Sequence, residues 1–238
     1  MQSADAAVER GEDGVETHGL FGSARDCAEF EQRVLRFAAR SDDRSDESRD
    51  EVLYVLSGNG AVTIGGEQHS LSTGTAAYVA RGTDWRVDEA DELVLLSVLV
   101  EDPLPPTGTT HAVIDLASEQ TQGATSGRQF RLLATPETGC ASVTQFVGYI
   151  PVGRAPDHFH TYDEVVYVLE GEGALHIAGE SAPLRAGSCV HLPARLVHCL
   201  ENAGPGEMEV LGVFRPAGSP AEAYYPDGTL AVVPTGND

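Results

Sequence analysis

Lysine is absent from this 238-residue chain. All fifteen basic residues are arginine, set against 37 acidic ones, for a net charge of −22. Such a chain has no basic face for phosphates, which excludes nucleic acid as a partner and argues against anionic membrane surfaces. The acidity suits solubility better than steering of a cationic ligand. No apolar run is long enough to span a membrane, and the N-terminus lacks the apolar core of a signal peptide, so no membrane association and a cytoplasmic location are expected. The four cysteines, Cys27, Cys140, Cys189 and Cys199, show no CxxC spacing. Buried free thiols are the expectation for such a set. Helical apolar spacing is scarce too. Its best stretch, Cys27 to Ala39, reads as a short helix or, through Arg33 to Phe37, as a strand.

What remains is β-rich. Short runs of β-formers recur between glycines and prolines, notably Val62 to Ile64, Ala76 to Val79, Leu93 to Val100, Phe130 to Ala134, Val143 to Ile150 and Met208 to Phe214. The fold class is all-β. The segment Glu101 to Thr110 is rich in Pro, Gly and Thr and reads as a linker.

One constellation carries chemistry. His158 and His160 lie two apart and project from the same side of a strand. Glu164 opens the run Val165 to Leu169, which ends in the turn Glu170-Gly171-Glu172-Gly173. His198 follows Pro193 in a strand expected at Leu196 to Leu200. Three imidazoles and one carboxylate suit a transition metal, with imidazole favouring Fe, Cu, Ni or Zn and the carboxylate adding a hard oxygen.

These residues resemble the cupin superfamily, whose motifs are G-x5-H-x-H-x3,4-E-x6-G and G-x5-P-x-G-x2-H-x3-N. The first runs here from His158 to Gly171 and the second from Gly187 to Asn202. Two departures are visible: Gly153 sits one residue closer to His158 than the pattern asks, and Arg195 replaces the internal glycine of the second motif. Neither is a ligand position. The resemblance implies a jelly-roll, or double-stranded β-helix, barrel with one divalent transition metal (Fe, Mn, Ni, Cu or Zn, with Fe or Mn favoured) on His158, His160, Glu164 and His198. Glu164 is also the expected catalytic base.

The pattern occurs twice. Glu51-Val-Leu-Tyr-Val-Leu-Ser-Gly58 falls without gaps on Glu164-Val-Val-Tyr-Val-Leu-Glu-Gly171, and farther on Ile64, Gly66, Glu67, Leu71 and Gly74 fall on Ile177, Gly179, Glu180, Leu184 and Gly187. An ungapped repeat of this length marks two copies of one unit. In the first copy Ser45 and Glu47 stand where His158 and His160 do, and Trp85 replaces His198. That barrel is expected to be metal-free. The expected organisation is that of a bicupin: a flexible arm over 1–25, a degenerate barrel over 26–100, a short Pro-rich linker over 101–112 and a metal-binding barrel over 113–238.

Strand alternation puts Val166 and Val168 on the side of Glu164, and Leu196 and Leu200 on the side of His198. On the strand Val143 to Ile150, either Gln145, Val147 and Tyr149 or Phe146, Gly148 and Ile150 face inward. Gln145 and Tyr149 are the polar pocket-lining candidates. His176 and His191 read as ordinary strand histidines before they read as partners of the ligand imidazoles. An apolar wall with few polar groups suits a compact aromatic or diketone-like molecule. The resemblance implies a dioxygenase acting on such a small-molecule substrate. The alternatives are a non-redox isomerase, lyase or hydrolase, or a non-catalytic small-molecule-binding cupin. A monomer or a homodimer fits a two-barrel chain.

Overall fold

The computed structural model describes residues 8–22 and 27–231. The first barrel contains β1 (Val8–Arg10), β2 (Glu16–Phe21), β3 (Phe30–Phe37), β4 (Asp50–Ile64), β5 (Glu67–Ser72), β6 (Thr75–Val79), β7 (Trp85–Val100) and β8 (His111–Asp115). The second contains β9 (Gln122–Gly123), β10 (Gln129–Leu132), β11 (Thr144–Ile150), β12 (Gly153–Arg154), β13 (Asp163–Glu170), β14 (Glu172–Ile177), β15 (Glu180–Arg185), β16 (Cys189–Leu192), β17 (His198–Asn202) and β18 (Met208–Arg215). Every strand pairing is antiparallel, and the only helical elements among the described residues are single 3-10 turns. No helix among the described residues is long and apolar enough to cross a membrane.

In barrel one the sheet runs β1-β2-β3-β7-β4-β6-β8, with β5 paired to the far half of β4. The stretch that reads as helix or strand is the strand β3. Its alternate residues Leu35 and Phe37 sit opposite Leu95 and Leu93 of β7, and all four are buried. Each such side chain contributes about 1.5–3 kcal/mol on burial. The β4–β5 connection is the two-residue turn Gly65-Gly66, with φ of +56° and +88°. Positive φ at both positions is what a hairpin matched to strand twist requires. Barrel two repeats the turn at Ala178-Gly179, with φ of +51° and +85°. Its strands form one sheet ordered β16-β13-β18-β11-β10-β9 and another ordered β12-β17-β14-β15.

The internal repeat holds at the level of register. Glu51 pairs with Val79 as Glu164 pairs with Leu192, and Ile64 faces Trp85 as Ile177 faces His198.

The expected boundaries need correction. The described residues divide into two compact units, one built on 8–22 and 27–119 with Leu133–Val143 and the other on Gln120–Leu132 with 144–231. Strand β8 hydrogen-bonds to β6 from His111 to Asp115 and so belongs to barrel one, past the expected end of the linker. It covers an edge that would otherwise present unpaired backbone groups. The expected arm supplies β1 and β2, and Asp13 between them pairs with Arg44 at 2.8 Å. Residues 1–7 and 23–26 of that arm lie outside the described residues.

Candidate metal centre

His158 and His198 meet across an antiparallel bridge. The His158 N–H donates to the His198 carbonyl at 3.0 Å, and the His198 N–H donates back at 2.8 Å. His160 follows two residues later. The three imidazole centroids lie 4.8–5.3 Å apart, and one ligand atom of each lies within 4.8 Å of the other two.

Each ring is oriented by the backbone. Nδ1 of His158 lies 3.0 Å from the Pro156 carbonyl, Nδ1 of His160 2.8 Å from that of Glu222, and Nδ1 of His198 2.9 Å from that of Leu196. A carbonyl only accepts, so each Nδ1 carries the proton and each Nε2 keeps its lone pair for the shared space. Burial, with repulsion from its two histidine neighbours, lowers the His160 imidazole to about 3. Burial and the neighbouring His158 lower His198 to about 4, and burial lowers His158 as well. All three rings are therefore neutral at pH 7, the state that binds a metal.

Glu164, at the start of β13, lines the same cavity but stands outside the 4.8 Å group. Burial pushes its carboxyl up to about 8, against the pull of Arg128. A cation in the cavity would favour the ionised form. The structure thus brings three of the four expected ligands together and holds the fourth nearby.

The cavity encloses about 80 Å3. Of the expected lining residues, Val166, Leu200 and Tyr149 face it. Val168 does not; it packs deeper in the barrel, with Leu175, Leu184 and Met208. Leu196 is also absent from the lining, because it lies in the turn before β17, its N–H bonded to the Pro193 carbonyl, where strand alternation has not begun. Gln145 is buried but does not line the cavity, to which β11 contributes Phe146, Gly148 and Ile150 as well as Tyr149. His176 and His191 pair instead with Glu201 at 2.6 Å and Asp163 at 3.0 Å. The four cysteines are buried and none is in a disulfide, and the Cys199 thiol donates to the Ala155 carbonyl at 3.1 Å.

Three contributors escape the sequence reading. Tyr162 stacks on His160 at 4.7 Å and on Phe214 at 3.9 Å. Its place two residues beyond His160 is a same-face signal that could have found it. Arg128 follows a 3-10 turn at Thr125–Gly127, and its Nη2 donates to the Leu200 carbonyl at 2.7 Å. It lines the cavity as a half-buried guanidinium. Gly212 of β18 makes room: a Cβ there would lie 2.3 Å from the Phe146 ring and 2.9 Å from Glu164 Oε1.

Barrel one fills the equivalent space with its own side chains. Glu51 accepts from Trp85 Nε1 and from Arg33 Nη2, both at 3.1 Å, and is also bonded to Ser97. The residue opposite Trp85 is Arg44, not Ser45, so the match to His158 slips by one residue. The Arg44 guanidinium lies 5.7 Å from the Phe37 ring and 5.9 Å from that of Trp85, within cation–π range.

The chain belongs to the cupin domain family, whose model matches residues 38–99 and again 145–214. Over 89 residues, 36% of this chain, it is 34% identical to the polyketide synthase CurC of Streptomyces cyaneus, of which the match covers 57%. The chain spans about half the length of the curated relatives it matches. Among solved structures, protein Ylba of E. coli superposes with a TM-score of 0.74 at 14% identity, covering 90% of this chain and 89% of that one. Oxalate decarboxylase of Bacillus subtilis, described with Mn(II) centres, gives 0.72 at 14% identity, covering 90% and 76%. At these identities the structures establish the fold alone: two cupin barrels in one chain.

Proposed function

We propose that barrel two is a mononuclear metal centre that oxidises a small aromatic or diketone-like organic anion with dioxygen. The observation that carries the reading is the convergence of three neutral imidazoles whose Nδ1 protons are all held by backbone carbonyls. His158, His160 and His198 would hold the ion, with Glu164 as the fourth ligand. A metal there supplies Lewis-acid and redox chemistry. Mixed imidazole and carboxylate donors favour Fe or Mn, and the Mn(II) of the B. subtilis fold relative supports the same choice.

The chain's own residues supply binding and proton handling. Arg128, half-buried at the cavity wall, offers a cation to an enolate, phenolate or carboxylate oxygen. Phe146 and Tyr162 form aromatic walls, and Val166 and Leu200 exclude water. Glu164 takes or returns a proton at its carboxylate. Polyketides are chains of β-dicarbonyl units, so the partial match to CurC supports a substrate of this chemistry.

Elemental analysis of protein purified anaerobically, beside His158→Ala and His198→Ala, tests the centre. About one Fe or Mn per chain, lost in both variants, is expected; no metal in the wild type even after reconstitution would overturn it. Oxygen uptake with diketones and phenolics tests the reaction. Turnover of such a compound without oxygen consumption would replace the dioxygenase by a non-redox isomerase, lyase or hydrolase at the same centre.

A further inference from the structure

Barrel one carries a second convergent group, away from the Glu51 network. Glu67 and His69 alternate on β5 and so share a face. His111 opens β8. One ligand atom of each of the three lies within 4.8 Å of the others. His111 Nε2 stands 3.4 Å from Glu67 Oε2, and the two imidazole centroids are 5.8 Å apart.

Two features of this group do not suit a plain ion pair. The 3.4 Å separation is long for a charge-assisted hydrogen bond, which is usually about 2.7–2.9 Å. It matches the spacing of two ligands on one tetrahedral ion, roughly 3.3 Å for bonds of about 2.0–2.1 Å. In addition, Nε2 of His69 is buried with no hydrogen-bond partner. Buried polar atoms are normally paired, and those left unpaired call for an explanation.

We propose that Glu67, His69 and His111 bind one divalent cation of the zinc type, with water completing the coordination. Strand β5 is hydrogen-bonded to β4 and β8 to β6. The ion therefore clips together two strands that share no backbone ladder. This site is independent of the centre in barrel two.

Zinc uptake by the full chain, read by equilibrium dialysis and elemental analysis, tests it. Glu67→Gln, His69→Ala and His111→Ala are compared with wild type, each also in a His158→Ala/His198→Ala background. The expected result is one fewer zinc per chain in His69→Ala, and at least tenfold weaker binding of that ion in Glu67→Gln, in both backgrounds. Because the Glu67 side chain is 71% exposed, its replacement leaves folding intact even if His111→Ala does not fold. The sole tryptophan, Trp85, lies in the same barrel, so zinc should also raise the temperature of its fluorescence transition in wild type but not in Glu67→Gln. Equal zinc content and equal thermal response in wild type, Glu67→Gln and His69→Ala would overturn the proposal, whatever the fate of the centre in barrel two.

Discussion

Gly212→Ala is the smallest change that should close the cavity of barrel two. The added methyl would lie 2.3 Å from Cε1 and 2.5 Å from Cζ of Phe146, and 2.9 Å from Oε1 of Glu164. Carbon atoms in contact prefer about 3.5–4.0 Å, so the ring must move by about 1.2 Å or more. Phe146 is held edge-on by Phe130 at 6.4 Å and Phe214 at 5.8 Å, which resist the move. Overpacking of this kind costs about 1–3 kcal/mol. Losing one aromatic contact adds about 0.5–1.5 kcal/mol. The total, about 2–4 kcal/mol, lowers Tm by roughly 5–15 °C for a chain of this size. Displacing Glu164 should also weaken metal binding by about tenfold, as losses of supporting groups around metal ligands do. Thermal unfolding by circular dichroism and a metal titration read both effects. Adding Phe146→Leu to Gly212→Ala should recover much of the stability, because the clash is with the ring. A variant that melts with wild type and binds metal equally would refute the packing argument.

Arg33→Ala leaves Glu51 buried without its cation and should destabilise barrel one by about 3 kcal/mol; urea unfolding followed by Trp85 fluorescence reads this directly, and an unchanged midpoint would show that the pair is dispensable. Arg128→Met should weaken binding of phenolates or diketonates at least tenfold while sparing uncharged analogues, as measured by calorimetry; equal losses for both would deny the guanidinium a charge-reading role. Burial raises the Asp46 carboxyl, but hydrogen bonds from Ser48 and Arg49 outweigh it and hold the group at about 2. A depressed acid stabilises the fold above its unfolded value of 3.8 and loses that contribution as the pH falls toward 2. Asp46→Asn should therefore be less stable than wild type at pH 6, by no more than about 1 kcal/mol at so solvated a site, and the gap should vanish near pH 2; a gap independent of pH would refute the assignment.

Much of the site was legible because its residues are local in sequence. His158, His160 and Glu164 sit within seven residues of one another, and His198 lies on a strand marked by Pro193 and Asn202. The repeat was legible for a related reason. Gly58 and Gly171, and Gly74 and Gly187, punctuate the two copies at equal spacing, and all four have positive φ. The slip from Ser45 to Arg44 was not legible, because an ungapped comparison cannot sense that the charged loop before β4 approaches Trp85 one residue earlier than its counterpart approaches His198.

The sequence by itself determined the all-β class, the doubled cupin unit, and the presence of three imidazoles in the second copy at positions where the first has none. These follow from residue type and short-range spacing, which strand geometry turns directly into faces and turns. Only the tertiary structure decided that β8 closes barrel one, that Phe146 rather than Gln145 faces the cavity, and that Arg128 and Gly212 shape it. Each of those depends on contacts between segments far apart in the chain, where strand register and ring packing select one of several arrangements that the local pattern permits equally.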